Sequence, residues 1–94
     1  MSRRATRFNK RDSVEPDIVG ALAAMGVLWI EGPPLDGWVW FGQFIPVELK
    51  TSEGIFTQSQ KDFIEICELN RWPYRVWRSV DEAVESVNLW RSGG

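Results

Sequence analysis

Histidine is absent from the 94 residues of this chain, and Cys67 is its single cysteine. The lack of histidine excludes a Ser-His-Asp triad, Cys-His catalysis, an HNH-type nuclease and any imidazole-ligated metal site. A single cysteine excludes an internal disulfide framework and a cysteine-ligated zinc cluster. Any metal site must therefore use oxygen ligands, which suit Mg²⁺, Mn²⁺ or Ca²⁺.

Long apolar runs are also missing. No stretch approaches the roughly 20 apolar residues of a membrane span. The charged N-terminus has no apolar segment behind it to make a signal peptide, so we expect a soluble, cytoplasmic protein. With 44% apolar residues and six tryptophans, the chain predicts one small domain with a real core, which association would help to stabilise.

Charge is distributed unevenly. Five of the eleven basic residues precede Asp12, and these are Arg3, Arg4, Arg7, Lys10 and Arg11. The rest of the chain has six basic and thirteen acidic residues, a net charge of −7. Residues 1–12 therefore predict either a flexible nucleic-acid-binding arm that contacts phosphates or a solubilising tail.

Residues 13–91 are predicted to form one domain, followed by a short tail at 92–94. Apolar spacing and turn residues indicate seven elements in the order α-β-β-β-α-β-α. Helices are expected at about 13–25, 58–70 and 80–90, and strands at 27–30, 38–41, 44–50 and 74–78. The first three strands predict an antiparallel meander. A helix crossing to the fourth predicts one mixed four-stranded sheet flanked by helices, an α/β (α+β) fold.

Residues typical of helix ends mark several of these boundaries. Ser13 and Ser79 precede acidic first turns, as N-cap residues do. Gly26 suits the position after the first helix. Thr57 followed three residues later by Gln60 is the capping-box arrangement, so Gln60 can serve simply as a cap partner.

Glu48 and Lys50 lie two apart in the predicted third strand. Their side chains should share one face, while Val47 and Leu49 point to the other. A carboxylate and an ammonium among apolar residues cost desolvation energy unless each has a partner. The pair therefore indicates either an exposed ion pair on an amphipathic edge strand or a site for a divalent metal and an anionic substrate.

Asp36 is six residues before the predicted turn at Gly42, and Glu48 is five residues after Gln43. A hairpin would make the two carboxylates cross-strand neighbours. Two carboxylates with water or phosphate ligands are typical of Mg²⁺, and the Leu49 carbonyl could add a ligand. Such a metal would supply an activated water for phosphodiester hydrolysis, and Lys50 would stabilise the developing charge. Asp36 could instead be an ordinary turn residue.

An Asp followed by Glu-x-Lys at a strand end, on an αβββαβ frame, resembles the restriction-endonuclease-like PD-(D/E)XK nuclease fold. More narrowly, the chain is similar to small VRR-NUC domains, stand-alone versions of which occur in bacteriophages. The resemblance covers about residues 13–85. It is carried by Glu15, Asp36, Glu48, Lys50, the stretch Gly-Ile-Phe-Thr-Gln-Ser-Gln at 54–60 and the stretch Arg-Ser-Val-Asp-Glu-Ala at 78–83. One departure is Leu35, which separates Pro34 from Asp36.

The resemblance implies a Mg²⁺- or Mn²⁺-dependent DNA endonuclease inside the host cell. It implies a homodimer that acts on four-way junctions or other branched DNA, like a Holliday-junction resolvase. The implied catalytic residues are Asp36, Glu48, Lys50 and Gln60, and the implied metal ligands are Glu15, Asp36, Glu48 and the Leu49 carbonyl. Glu15 could also be only a first-turn helix acid.

Two other functions are open: a non-catalytic nucleic-acid- or protein-binding module, and a nuclease subunit that requires a partner protein.

Tryptophans are too numerous for all to be ligand platforms. Trp29, Trp38, Trp40 and Trp77 are expected in the core or on a dimer surface.

Overall fold

The computed structural model describes residues 14–51 and 53–93. Within these residues the elements are α1 Val14–Ala24, β1 Trp29–Glu31, β2 Gly37–Trp40, β3 Phe44–Leu49, α2 Gln58–Leu69, β4 Arg75–Trp77 and α3 Val80–Arg91. The predicted order of helices and strands is confirmed. The predicted basic arm, residues 1–12, and the predicted Ser13 cap lie outside the described residues.

The four strands form one mixed sheet in the order β1-β2-β3-β4. Strands β1, β2 and β3 are antiparallel neighbours, and β4 pairs with β3 in parallel. This confirms both the meander and the mixed sheet. Because β3 lies between β2 and β4, the interpretation of Glu48 and Lys50 as an ion pair on an edge strand is wrong.

The end of α1 explains why β1 begins two residues later than expected. Gly26 has a φ of +74°, the left-handed conformation that glycine adopts readily. The N–H groups of Gly26 and Val27 then donate to the carbonyls of Ala23 and Leu22. This is the Schellman arrangement, and it satisfies helix carbonyls that would otherwise lack partners. It engages the Val27 N–H, and Trp29 is the first residue paired with β2, next to a Leu28 carbonyl that accepts from the Trp40 N–H at 3.4 Å.

In the core, α1 and α3 pack against one face of the sheet. Its buried members are Ile18, Leu22, Val27, Val39, Ile45, Val47, Leu49, Trp77, Ala83 and Val87. Burying each large aliphatic side chain contributes about 1.5–3 kcal/mol. A one-residue slip of β3 would expose Val47 and Leu49, so packing holds the strand register. With that register held, Glu48 must project from the opposite face, where α2 lies.

Among the described residues, no helix is long and apolar enough to cross a membrane. The three helices have 11 or 12 residues each. At about 1.5 Å per residue, the longest spans about 18 Å, well short of the hydrocarbon core of a bilayer.

Candidate active site

A cleft of about 450 Å³ opens where β3 ends. Five predicted site side chains line it, namely Glu15, Asp36, Glu48, Lys50 and Gln60, together with residue Leu49. They come from α1, the turn before β2, the end of β3 and the first turn of α2. The fold therefore brings residues that are up to 45 positions apart in sequence to one place. The predicted arm residues Arg3, Arg4, Arg7, Lys10 and Arg11 lie outside the described residues.

Asp36 is held beside β3 by two hydrogen bonds. Gly37 pairs with Val47, so the next position places Asp36 opposite Glu48, as the hairpin count predicts. The Asp36 N–H donates to the Val47 carbonyl at 3.0 Å, and its Oδ2 accepts from the Leu49 N–H at 2.7 Å. Leu35 is buried next to it. These contacts hold the turn against the sheet.

Glu48 is a carboxylate with only 2% of its surface exposed. Its Oε2 accepts from Gln60 Nε2 at 2.9 Å and lies 3.2 Å from Lys50 Nζ. Its Oε1 is buried without a hydrogen-bond partner among the described residues. Leaving such an oxygen unpaired costs about 1–3 kcal/mol or more. A folded site that tolerates this cost is ready to accept a cation or a donor from a ligand.

The charge state of Glu48 depends on opposing neighbours. Burial raises the pKa of Glu48, and the nearby Asp36 charge raises it further, while Lys50 lowers it. A cation placed between Glu48 and Asp36 would relieve both the burial penalty and the repulsion. The electrostatics of the pair therefore favour cation binding.

The two ends of the Gln60 side-chain amide contact the N-cap of α2 and the Glu48 carboxylate. Gln60 Oε1 accepts from the Thr57 N–H at 2.9 Å, and Thr57 Oγ1 accepts from the Gln60 N–H at 3.2 Å. This confirms the capping box. The other end, Nε2, donates to Glu48. One side chain thus completes the predicted capping box and also contacts Glu48 in the cleft.

Three residues that contact or surround Lys50 were not among the site residues predicted from the sequence. Arg78 donates to carbonyls of the loop that follows Lys50. Phe56 places its ring centroid 5.5 Å from Lys50 Nζ, and Gly54 packs against the Lys50 side chain. Only the stretches 54–60 and 78–83 of the family resemblance hinted at them, and no local pattern indicated their contacts with Lys50.

The predicted metal ligands have the chemistry that a divalent cation prefers, and they line one cleft. Glu15, Asp36 and Glu48 offer hard oxygen donors around one cleft, with the unpartnered Glu48 Oε1 among them. In the described part of the chain, however, no group of three or more acidic, cysteine or histidine residues forms a ready-made metal cluster. Mg²⁺ is usually held by one or two carboxylates and keeps several waters, so it does not require such a cluster.

A second feature lies away from the cleft, on the face of β1 to β3 not covered by α1 and α3. Partly or largely exposed apolar side chains gather there, and we call them the apolar face: Leu28, Ile30, Trp38, Trp40 and Phe44. Trp40 and Phe44 pack edge to face with centroids 4.8 Å apart. Of the tryptophans expected in the core or on a dimer surface, Trp77 is buried in the core.

Comparison with known proteins gives no match to a protein-family model, to a curated protein or to a solved structure.

Proposed function

We propose that this protein is a metal-dependent endonuclease that hydrolyses phosphodiester bonds in DNA, with a site of the PD-(D/E)XK kind that is similar to VRR-NUC domains. The observation that carries the proposal is the Glu48 carboxylate. One of its oxygens is held by Gln60 and Lys50 while the other is buried and unpartnered among the described residues. A purely structural strand has no need of this arrangement beside a second carboxylate, Asp36.

The residues divide the work by their chemistry. Asp36 and Glu48, with Glu15 and the Leu49 carbonyl, would hold Mg²⁺ or Mn²⁺. When bound, such an ion supplies Lewis acidity and an activated water. Lys50 keeps its ammonium beside Glu48, where its remaining N–H groups can bind a phosphate oxygen and stabilise the charge that develops there.

Gln60 and the backbone hold these groups in place. The Gln60 amide fixes one oxygen of Glu48, and the Leu49 N–H fixes one oxygen of Asp36. Glu48 therefore keeps its other oxygen, Oε1, for ligand binding. Groups that are already oriented lose little freedom when substrate arrives, which is how positioning lowers a reaction barrier.

Branched DNA as substrate and a homodimer as the active form are further parts of the proposal, as is action inside the host cell. The apolar face supports self-association, because contiguous exposed apolar surface on a small domain marks an interaction site. Residues 27–49 contain no lysine or arginine, so this surface offers no cation to a DNA backbone. It therefore suits a second protein surface better than DNA.

The decisive experiment measures cleavage of labelled four-way junction, flap and linear duplex DNA with Mg²⁺ or Mn²⁺. We expect the wild type to cut a branched substrate, and Asp36→Asn and Lys50→Ala to lose activity. Asp62→Asn and Lys61→Ala are matched controls, because both side chains are exposed on α2. A wild type that binds metal and DNA and cuts none of the substrates would contradict the proposal.

A non-catalytic binding module on the same fold is the second candidate. It is compatible with the same cleft, because the buried, unpartnered Glu48 Oε1 could equally accept a donor from a bound ligand. Isothermal titration calorimetry separates the two, because a module need not take up Mg²⁺ or Mn²⁺ at Asp36 and Glu48. Cleavage that appears only with host or phage extract would instead indicate a subunit that requires a partner protein.

A further inference from the structure

Arg78 ties together the loop that follows Lys50. Its Nη1 donates to the Thr51 carbonyl at 2.7 Å and to the Gly54 carbonyl at 2.9 Å. The Gly54 N–H also donates to the Thr51 carbonyl at 3.0 Å. A single guanidinium nitrogen thus joins both ends of a tight turn, and the carbonyls it binds belong to the segment between β3 and α2.

That turn is in contact with the Lys50 side chain. A Cβ placed on Gly54 would lie 3.0 Å from Lys50 Cδ and 3.5 Å from Lys50 Cβ. A contact of 3.0 Å between carbon atoms is shorter than their optimal separation of about 3.5–4.0 Å. A side chain at Gly54 would therefore force the lysine stem to move by a few tenths of an ångström. The position of the turn therefore limits where the stem can lie.

Phe56 adds a second contact between the two cations. Lys50 Nζ lies 5.5 Å from the centroid of its ring, and Arg78 Cζ lies 5.9 Å from the same centroid. An aromatic ring attracts a cation at such distances. The ring therefore favours an arrangement in which Lys50 and Arg78 are held near each other despite their like charge.

The sheet explains why Arg78 reaches this place. Leu49 pairs with Trp77 across β3 and β4, and the Lys50 N–H donates to the Trp77 carbonyl at 3.1 Å. Arg78 therefore leaves β4 at the level where Lys50 leaves β3. Its own N–H donates to Glu82 Oε1 at 2.8 Å, which fixes its backbone at the start of α3.

We propose that Arg78 is a positioning residue for Lys50, which acts through Thr51, Gly54 and Phe56 to hold the lysine ammonium against Glu48. The connection runs from the guanidinium to the loop carbonyls, from Gly54 to the lysine stem, and from Nζ to Glu48 Oε2 at 3.2 Å. The catalytic meaning of this connection rests on the proposed function, but the connection itself is a property of the folded chain.

The first test records the side-chain NMR signals of Lys50 in the metal-free protein. The Phe56 ring shifts the Lys50 Cε–Hε signals, and Phe56→Leu gives the reference without a ring current. We expect Arg78→Ala to move these signals most of the way to that reference. Arg91→Ala is the matched control, because Arg91 also donates to a backbone carbonyl, that of Met25, away from the cleft. It should leave the signals unchanged.

Gly54→Ala tests the same connection with Arg78 in place, which matters if Arg78→Ala does not fold. The added methyl must push on the Lys50 stem, so the Lys50 signals should again move. If they stay at their wild-type positions in every folded variant of Arg78 and Gly54, the positioning role is overturned and Arg78 is only a loop anchor.

The second test uses cleavage. Misplacement of a reacting group by about 1 Å can cost 100-fold in rate, so we expect Arg78→Ala to lower kcat tenfold or more with KM nearly unchanged. Arg78→Lys keeps the charge but is one bond shorter, and it should restore only part of kcat. Full recovery in Arg78→Lys would show that charge alone matters and would overturn the proposal. A wild type without cleavage would contradict the proposed function, while the NMR test would still decide the positioning role.

Discussion

Gln60 Nε2 donates a 2.9 Å hydrogen bond to Glu48 Oε2 while the other end of the same amide caps α2. The cap determines which way the amide faces, because its oxygen must accept from the Thr57 N–H. The NH₂ group is then left to face the sheet, where Glu48 is buried. A local helix-capping motif thereby orients a carboxylate 12 residues earlier in the chain.

Replacement of Gln60 by glutamate should separate the two tasks. A glutamate can still accept from the Thr57 N–H, so the cap is kept. It cannot donate to Glu48, and it adds a like charge beside a buried carboxylate. A hydrogen bond to a charged group contributes about 1.5–3 kcal/mol, so we expect the free energy of unfolding to drop by about that amount and cleavage to fall at least tenfold.

Gln58→Glu is the control for this change. Gln58 donates to Asp62 on the exposed side of the same helix. The Gln58→Glu variant therefore also loses a side-chain donor and gains a negative charge, but at the surface. Exposed pairs of this kind contribute about 1 kcal/mol at most. Thermal unfolding and cleavage should both show a clearly larger effect in Gln60→Glu. Equal effects in the two variants would mean that Gln60 is a cap residue only.

Glu48→Gln should change how stability depends on pH. Burial, with the Asp36 charge, raises the pKa of Glu48 above its ordinary value of 4.5, against the opposing effect of Lys50. Between the unfolded and the raised folded pKa, the native state binds more protons than the unfolded chain. The free energy of unfolding therefore falls as pH rises through this window. Glu48→Gln lacks this titration.

Chemical denaturation of the metal-free proteins across pH 4 to 8 checks the sign. The stability of Glu48→Gln relative to wild type should increase with rising pH and then level off. Glu85→Gln, an exposed site on α3, serves as the control. A constant difference between Glu48→Gln and wild type at every pH would contradict the prediction.

The contacts that could be predicted from the sequence are those set by short spacings. Thr57 and Gln60 are three residues apart, so helix geometry alone brings them together. Asp36 and Glu48 are joined by a hairpin, so counting from the turn places them side by side. Arg78 and Thr51 are 27 residues apart, and their contact depends on the parallel register of β3 and β4. That register comes from the packing of Leu49 and Trp77 in the core. The two residues precede and follow α2 in the sequence, so no local spacing encodes their contact.

Metal binding should stabilise the folded protein. A ligand that binds only the native state adds RT ln(1 + [L]/Kd), about 2.7 kcal/mol when its concentration is a hundred times Kd. Mn²⁺ should therefore raise the Tm of wild type in a saturable way, and Asp36→Asn and Glu48→Gln should lose most of this increase. Asp62→Asn should keep it. An identical increase in all four proteins would mean that the cation binds elsewhere.

Deletion of residues 1–12 should weaken DNA binding without changing where DNA is cut. Five basic residues lie in this segment, and each phosphate contact contributes about 0.9 to the slope of log affinity against log salt for duplex DNA. Loss of all five contacts would reduce the slope by about 4.5. Fluorescence anisotropy over a series of salt concentrations measures it. An unchanged slope would show that the segment is only a tail.

Polar substitutions on the apolar face should convert the proposed dimer to a monomer. Trp40 and Phe44 are 46% and 38% exposed and pack on each other within this surface. Burial of such side chains in an interface contributes up to about 1.5–3 kcal/mol each, so Trp40→Ser with Phe44→Ser should shift the dissociation constant by two orders of magnitude or more. Ile66→Ser with Leu69→Ser removes two exposed apolar residues from α2 and should leave association intact. Sedimentation velocity at several concentrations measures both variants against wild type, and a wild type that stays monomeric at every concentration would contradict the dimer.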